Sequence, residues 1–207
     1  METVRELPGT DGDVIALPGA ELRFVAGWLA PTEADALFAH LLQQVPWENH
    51  RIRMFGRLVD SPRLSCWMGD AGTEYRYSGV RFASRPWLPE VRTLCERLRG
   101  LSGTPFNSVL LNRYRDGRDA MGWHSDDEPE LGTEPVIASV SLGAERRFLL
   151  KRRDGLVERQ HLVLTHGSLL LMAGRTQHEW LHCLPRTARP VGERINLTFR
   201  WIQANTR

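Results

Sequence analysis

The second half of the chain is cut into short β-forming runs, and this punctuation limits the folds open to it more than any other feature. From about Asn107 onward come NSVLLNRYR, PVIASVSLG, RRFLLK, QHLVLT, SLLLMA, HEWLHCL and RINLTFRWI, with turn residues between them. Runs of this length and spacing predict strands joined by tight connections. Two helices are predicted upstream. The first is capped by Thr32 with Asp35 three residues on, carries Leu37, Phe38, Leu41, Leu42 and Val45 as an apolar stripe, and is stopped by Pro46. The second spans about Leu88 to Arg99, with Leu88, Val91, Leu94, Cys95 and Leu98 on one face and Gly100 just past its end. Two helices followed by many strands predict a mainly β, α+β fold: a double-stranded β-helix (jelly roll) or sandwich with the helices packed outside.

With 207 residues, 42% of them hydrophobic, the chain needs only one domain, expected over residues 21–207. The first twenty residues, rich in Gly, Pro and Asp, read as a flexible arm or an edge strand. No run approaches the roughly 20 apolar residues of a membrane helix, and METVRELPGTDGD lacks the layout of a secretory signal. The expectation is a soluble, intracellular monomer, cytoplasmic in a bacterium and nuclear in a eukaryote. Cys66, Cys95 and Cys183 are too widely spaced for a metal clip and read as reduced packing residues. A net charge of +2 does not identify a nucleic-acid binder by itself. Of 27 basic residues only Lys151 is lysine. Arginine forks can clamp carboxylates and phosphates, although a GC-rich coding sequence gives the same bias.

The last run alternates: Arg194, Asn196, Thr198 and Arg200 share one face, Ile195, Leu197, Phe199 and Trp201 the other. Asn112 with Tyr114, and His124 with Asp126 and Glu128, form comparable polar faces. Three polar faces in one small β domain predict a shared polar cavity.

In MGWHSDDEPE, His124 and Asp126 leave an extended segment on the same side, close enough to chelate one ion. An H-x-D tripeptide is weak evidence alone, but a second histidine would complete the two-histidine, one-carboxylate facial triad that leaves Fe(II) three open positions. His166, His178 and His182 compete for that place. His166 precedes Gly167 in a predicted turn and reads as exposed. His178 and His182 fall on one face of a single predicted strand, and spacing does not choose between them.

The runs NRYRDGRDAMGWHSDDEPEL, PVIASVSLGAERRF, THGSLLLMAGRTQHEWLHCLP and RINLTFR, in that order, resemble the AlkB family of dioxygenases. The similarity is closest to the duplex-DNA repair subgroup and extends upstream through RIRMFGR, PRLSCWMGD and EYRYSG. What the resemblance implies is specific. His124, Asp126 and His182 hold Fe(II), leaving His178 as a neighbour. Asn112, Tyr114, Arg194, Asn196 and Arg200 hold the cosubstrate 2-oxoglutarate, with O2 as oxidant. Arg194 with Tyr114 is expected at the distal carboxylate, Arg200 near the metal.

The implied activity is oxidative removal of N-methyl groups from bases such as 1-methyladenine or 3-methylcytosine in DNA, releasing formaldehyde and succinate. Recognition hairpins fall at about 48–82. Tyr75, Tyr77 and Ser78 line the base pocket and Glu128 reads the base edge. Met54 and Phe55 before Gly56, flanked by Arg51, Arg53 and Arg57, form an apolar wedge on a basic hairpin, able to fill the gap left by a flipped base. Asp127 reads as a support to the metal ligands or a solvated charge. Arg146, Arg147, Lys151, Arg152 and Arg153 read as a second basic hairpin for the opposite strand, or as solvated charge. The competing readings are a demethylase of RNA, a hydroxylase of protein, and a non-catalytic module around structural zinc, against which the lack of cysteine near His124 counts.

Overall fold

The computed structural model describes residues 12–54, 57–77 and 80–203. Along the chain, β1 (Asp13–Leu17) and β2 (Ala20–Val25) lead into helix α1 (Pro31–Gln44). Next come β3 (Arg51–Met54), β4 (Arg57–Asp60), β5 (Leu64–Gly69), β6 (Glu74–Tyr77), β7 (Val80–Ala83) and helix α2 (Pro89–Ser102). The remainder is β8 (Ser108–Tyr114), β9 (Met121–His124), β10 (Ile137–Gly143), β11 (Arg146–Arg152), β12 (Gln160–Leu164), β13 (Ser168–Ala173), the short helix α3 (Thr176–Glu179), β14 (Trp180–Leu184) and β15 (Arg194–Arg200). A seven-stranded antiparallel sheet runs β1-β2-β13-β10-β15-β8-β5, and a four-stranded one runs β12-β11-β14-β9. The pairs β3–β4 and β6–β7 form separate hairpins. This is the jelly-roll architecture with helices outside that the strand runs predict.

Period-two alternation sends each strand of the large sheet into two environments. On one face Val109, Leu111, Val140, Leu142, Leu169, Leu171, Ile195, Leu197 and Phe199 pack against Leu37 and Leu41 of α1 and Val91, Leu94 and Leu98 of α2. On the other, Ile137, Leu170 and Met172 pack against Phe148, Leu150, Trp180 and Leu184 of the small sheet. The second interior is incomplete. Where β8, β10 and β15 cross it, several inward positions are polar, among them Asn112, Ser139, Asn196, Thr198 and Arg200, and a cavity opens between the sheets.

Several local expectations are corrected. Helix α1 starts at Pro31 with Ala30 at the cap and no side-chain capping bond, so Thr32 lies inside the first turn. Proline at the first helical position supplies the fixed φ that makes the start. Helix α2 runs past Gly100 and ends at Gly103, whose φ of 69° is the left-handed cap. Asp13–Leu17, in the segment read as a flexible arm or an edge strand, is paired at the rim of the large sheet, while residues 1–11 lie outside the described set. Cys66, Cys95 and Cys183 are buried free thiols; burial pushes all three up, Cys66 and Cys95 to about 11. No helix among the described residues is long and apolar enough to cross a membrane.

Candidate metal centre

His124 and His182 face one another across the β9–β14 pair, opposite in register, with ring centroids 4.3 Å apart. The register shifts between this pair and Leu184–Met121. Such an irregularity re-aims side chains, and Met121 and His124, three positions apart, both line the cavity. Asp126 lies just beyond the end of β9. Ligand atoms of His124, Asp126 and His182 all fall within 4.8 Å of one another. The cavity they floor encloses about 470 Å³, its mouth included, and is walled by Leu110, Asn112, Tyr114, Phe148, Met172, Asn196 and Arg200 among others.

The electrostatics suit a divalent cation. Burial alone would raise the Asp126 carboxyl, but the guanidinium of Arg200, whose Nη2 donates to Asp126 Oδ1 at 2.8 Å, and the two imidazoles outweigh it and hold it at about 2. Burial lowers both histidines, His182 to about 3 with the His124 imidazole adding to the effect. An ionised carboxylate and two neutral imidazoles are the protonation states a metal requires. The Nδ1 of His124 is hydrogen-bonded to the Gly122 carbonyl at 2.9 Å, which orients the ring. The Phe148 ring packs on His182, centroids 5.2 Å apart and planes inclined by 30°.

The expected cosubstrate residues converge on the same space. Asn112, Tyr114, Asn196 and Arg200 line the cavity. Arg194 is fully buried, its guanidinium 5.2 Å from the Tyr114 ring centre, and its Nη2 donates to Ser141 Oγ at 2.9 Å and to Asn196 Oδ1 at 3.0 Å. Burial lowers it to about 10. Its Nε and Nη1 are buried with no hydrogen-bond partner, an arrangement that fits an anionic ligand. The donor set therefore fits both groups: N/O ligands with one carboxylate for Fe(II), and paired guanidiniums for a dicarboxylate.

Other expectations shift. His178 is not on the strand with His182 but on α3, where its Nε2 contacts the Thr133 carbonyl. His166 is partly buried: its Nδ1 accepts from the Gly143 N–H at 2.8 Å, and its Nε2 lies 3.2 Å from Asp35. Glu128 is half-buried before a 3-10 turn, Pro129–Leu131. Asp127 is exposed and paired with Arg153 at 2.8 Å. Most of the second basic hairpin is already engaged. Arg146 is buried and donates to the carbonyls of Asp116, Asp119 and Pro185, because the bonds of those two loops need a donor there. Arg152 pairs with Glu179 and Asp154, and Lys151 lies 4.5 Å from the Trp123 ring centre. Met54 ends β3 opposite Arg57, and Tyr75 and Tyr77 sit on β6 opposite Phe82 and Val80. The side chains of these three, and Phe55, Gly56 and Ser78 altogether, lie outside the described residues.

Sequence reasoning missed Arg63, whose Nε donates to Asn112 Oδ1 at 2.7 Å, and Gln177, whose Oε1 accepts the Asp126 N–H at 3.0 Å. It also missed Ser139, bonded to Asn196, and Ser141 beneath Arg194. The serines had a signal, since they alternate with Ala138, Val140 and Leu142 in IASVSLG.

Comparison with known proteins agrees with this geometry. A family model described as the 2OG-Fe(II) oxygenase superfamily matches residues 21–200. Similar proteins include the DNA oxidative demethylase ALKBH2 of Arabidopsis thaliana, 37% identical over 89% of this chain and 67% of its own length. The mouse (Mus musculus) protein of that name is 41% identical over 82% of this chain and 75% of its length. The human (Homo sapiens) alpha-ketoglutarate-dependent dioxygenase alkB homolog 3 is 38% identical over 87% of this chain and 66% of its length. This chain thus spans roughly two thirds to three quarters of the length of these relatives. A solved structure titled "The structure of OsALKBH1" matches the fold with a TM-score of 0.59 at 17% identity, covering 90% of this chain and 100% of that one. Fold, ligand cluster and sequence similarity together place the chain in the AlkB family of the 2OG-Fe(II) oxygenase superfamily.

Proposed function

We propose that this chain oxidatively demethylates N-alkylated bases in DNA, of the 1-methyladenine and 3-methylcytosine type. The N-methylated base, one 2-oxoglutarate and one O2 give the unmethylated base, formaldehyde, succinate and CO2. The observation that carries the reading is the joining of the His124–Asp126–His182 cluster to a guanidinium-lined cavity in a chain similar to two proteins named DNA oxidative demethylase. Bound Fe(II), with 2-oxoglutarate as co-reductant, supplies the dioxygen activation that oxidises the methyl C–H bond.

The protein's own part is binding, orientation and exclusion of water. His124, Asp126 and His182 would hold the ion at the floor of the cavity, where bound 2-oxoglutarate would also be received. Arg194 and Tyr114 hold the distal carboxylate of 2-oxoglutarate, with Ser141 and Asn196 fixing the guanidinium. Arg200 keeps Asp126 ionised and would lie near the end of 2-oxoglutarate that the metal takes. Leu110, Met172 and Leu184 keep the wall apolar. Glu128, two residues beyond Asp126, has one carboxylate oxygen withdrawn from solvent and is the residue proposed to read the base edge. A duplex base must leave the stack to reach such a cavity. Tyr75, Tyr77 and Ser78 are the residues proposed to receive it, and Met54, Phe55 and Gly56 to fill the gap.

The test is mass spectrometry of a methylated duplex incubated with Fe(II) and 2-oxoglutarate, beside single-stranded DNA and RNA of the same sequence. Loss of one methylene from DNA with stoichiometric formaldehyde is expected. Turnover on RNA or on protein with none on either DNA form overturns the proposal.

A further inference from the structure

Two of the proposed ligands, His124 and His182, stand on paired strands, so the β ladder fixes their backbone. Asp126 does not, because β9 ends at His124. Arg200 holds its carboxylate, but the ladder leaves its backbone N–H, in a residue 4% exposed, without a strand partner. A side chain takes that place: the Oε1 of Gln177 accepts the Asp126 N–H at 3.0 Å.

Gln177 is wholly buried, and its Nε2 meets the Met172 thioether at 3.6 Å, a weak acceptor. Burying an amide with a poorly satisfied NH2 costs free energy that a methionine of similar length would not. What the glutamine gives in return is the bond to Asp126. Its position is also favourable. Gln177 lies on α3, the turn that runs straight into β14 and His182, and the adjacent His178 contacts the Thr133 carbonyl. The segment from Asp126 to Thr133 is thereby tied at both ends to the element that leads into His182.

We propose that Gln177 is a positioning residue of the metal centre, holding the Asp126 backbone so that its carboxylate sits at ligand distance from both imidazoles. This rests on the assignment of His124, Asp126 and His182 as the metal ligands. Mn(II) binding to the full chain, without 2-oxoglutarate or oxygen and followed by titration calorimetry and Mn(II) EPR, tests it. Gln177→Met removes the acceptor at nearly constant volume and is expected to weaken Mn(II) binding by about 10–100-fold, the usual effect of losing an outer partner of a ligand. Its EPR signal should broaden as the site loses a single geometry. Gln177→Glu keeps an oxygen at the same reach and should retain near-normal affinity. His124→Ala serves as the control and should abolish binding.

If Gln177→Met folds and binds Mn(II) like the parent while His124→Ala does not, the positioning role is overturned and the metal centre stands. If His124→Ala also binds normally, the ligand assignment falls and the role with it. If Gln177→Met does not fold, Gln177→Glu decides: normal affinity supports the role, and a tenfold loss overturns it.

Discussion

Asp126 and Arg200 form a buried pair, 4% and 3% exposed, and removal of the guanidinium leaves the Asp126 charge buried without its counter-ion. Arg200→Met is therefore expected to cost about 3–5 kcal/mol in the metal-free protein, as breaking buried pairs does. Mn(II) should raise the melting temperature of that variant by more than it raises the parent's, since the ion supplies the missing positive charge; equal shifts would contradict the pairing. Ser141→Ala removes a hydrogen bond to the Arg194 cation worth about 1.5–3 kcal/mol of stability, and by loosening the guanidinium it is expected to raise the KM for 2-oxoglutarate. Metal affinity should not move. His178→Ala should bind Mn(II) and only weaken turnover, whereas His182→Ala should do neither. At this scale the sequence is partly legible. His124 with Asp126 could be read from their spacing, but the choice between His178 and His182 could not, because a four-residue helix, Thr176–Glu179, interrupts the apparent strand without any capping signal. Arg63 and Gln177 were silent for another reason: a polar residue in a short segment between strands looks the same whether it is solvated or buried.

Among elements, the strands were the clearest to read, since alternation is a property of each short run by itself. Helix limits were harder. Gly100 and Gly103 lie three residues apart, and only tertiary packing decides that the helix continues through the first and turns left-handed at the second. The two glycines should respond oppositely. Gly100 is exposed, and a Cβ there meets nothing within 4 Å, so Gly100→Ala should stabilise by about 0.5–1 kcal/mol. Gly103→Ala, at a φ of 69°, should destabilise by about 1–2 kcal/mol. Urea unfolding of the two variants measures both. The sequence MFG between the described parts of β3 and β4 carries a functional prediction: if Met54 and Phe55 serve as a wedge, Phe55→Ala should impair turnover on methylated duplex while sparing the single strand. Equal loss on both substrates would remove the wedge.

For the molecule as a whole, the site is a meeting of two sheets, so its ligands should report on the fold. With Mn(II) and 2-oxoglutarate at about a hundred times their dissociation constants, each linked site adds about 2.7 kcal/mol, equivalent to a rise of about 5–10 °C in a domain of this size. Chelation should reverse the shift, and His124→Ala should abolish it. The double interior of the large sheet carries a further consequence. Because the two faces of β8, β10 and β15 carry different side chains, sliding any of them by a single residue would turn inward polar groups, in β15 the guanidiniums of Arg194 and Arg200, into the helix-facing oil and bring aliphatic groups toward the iron and dicarboxylate site. A misregistered chain would lose its packing and its chemistry together, so the same alternation that builds the site also specifies the register of the sheet.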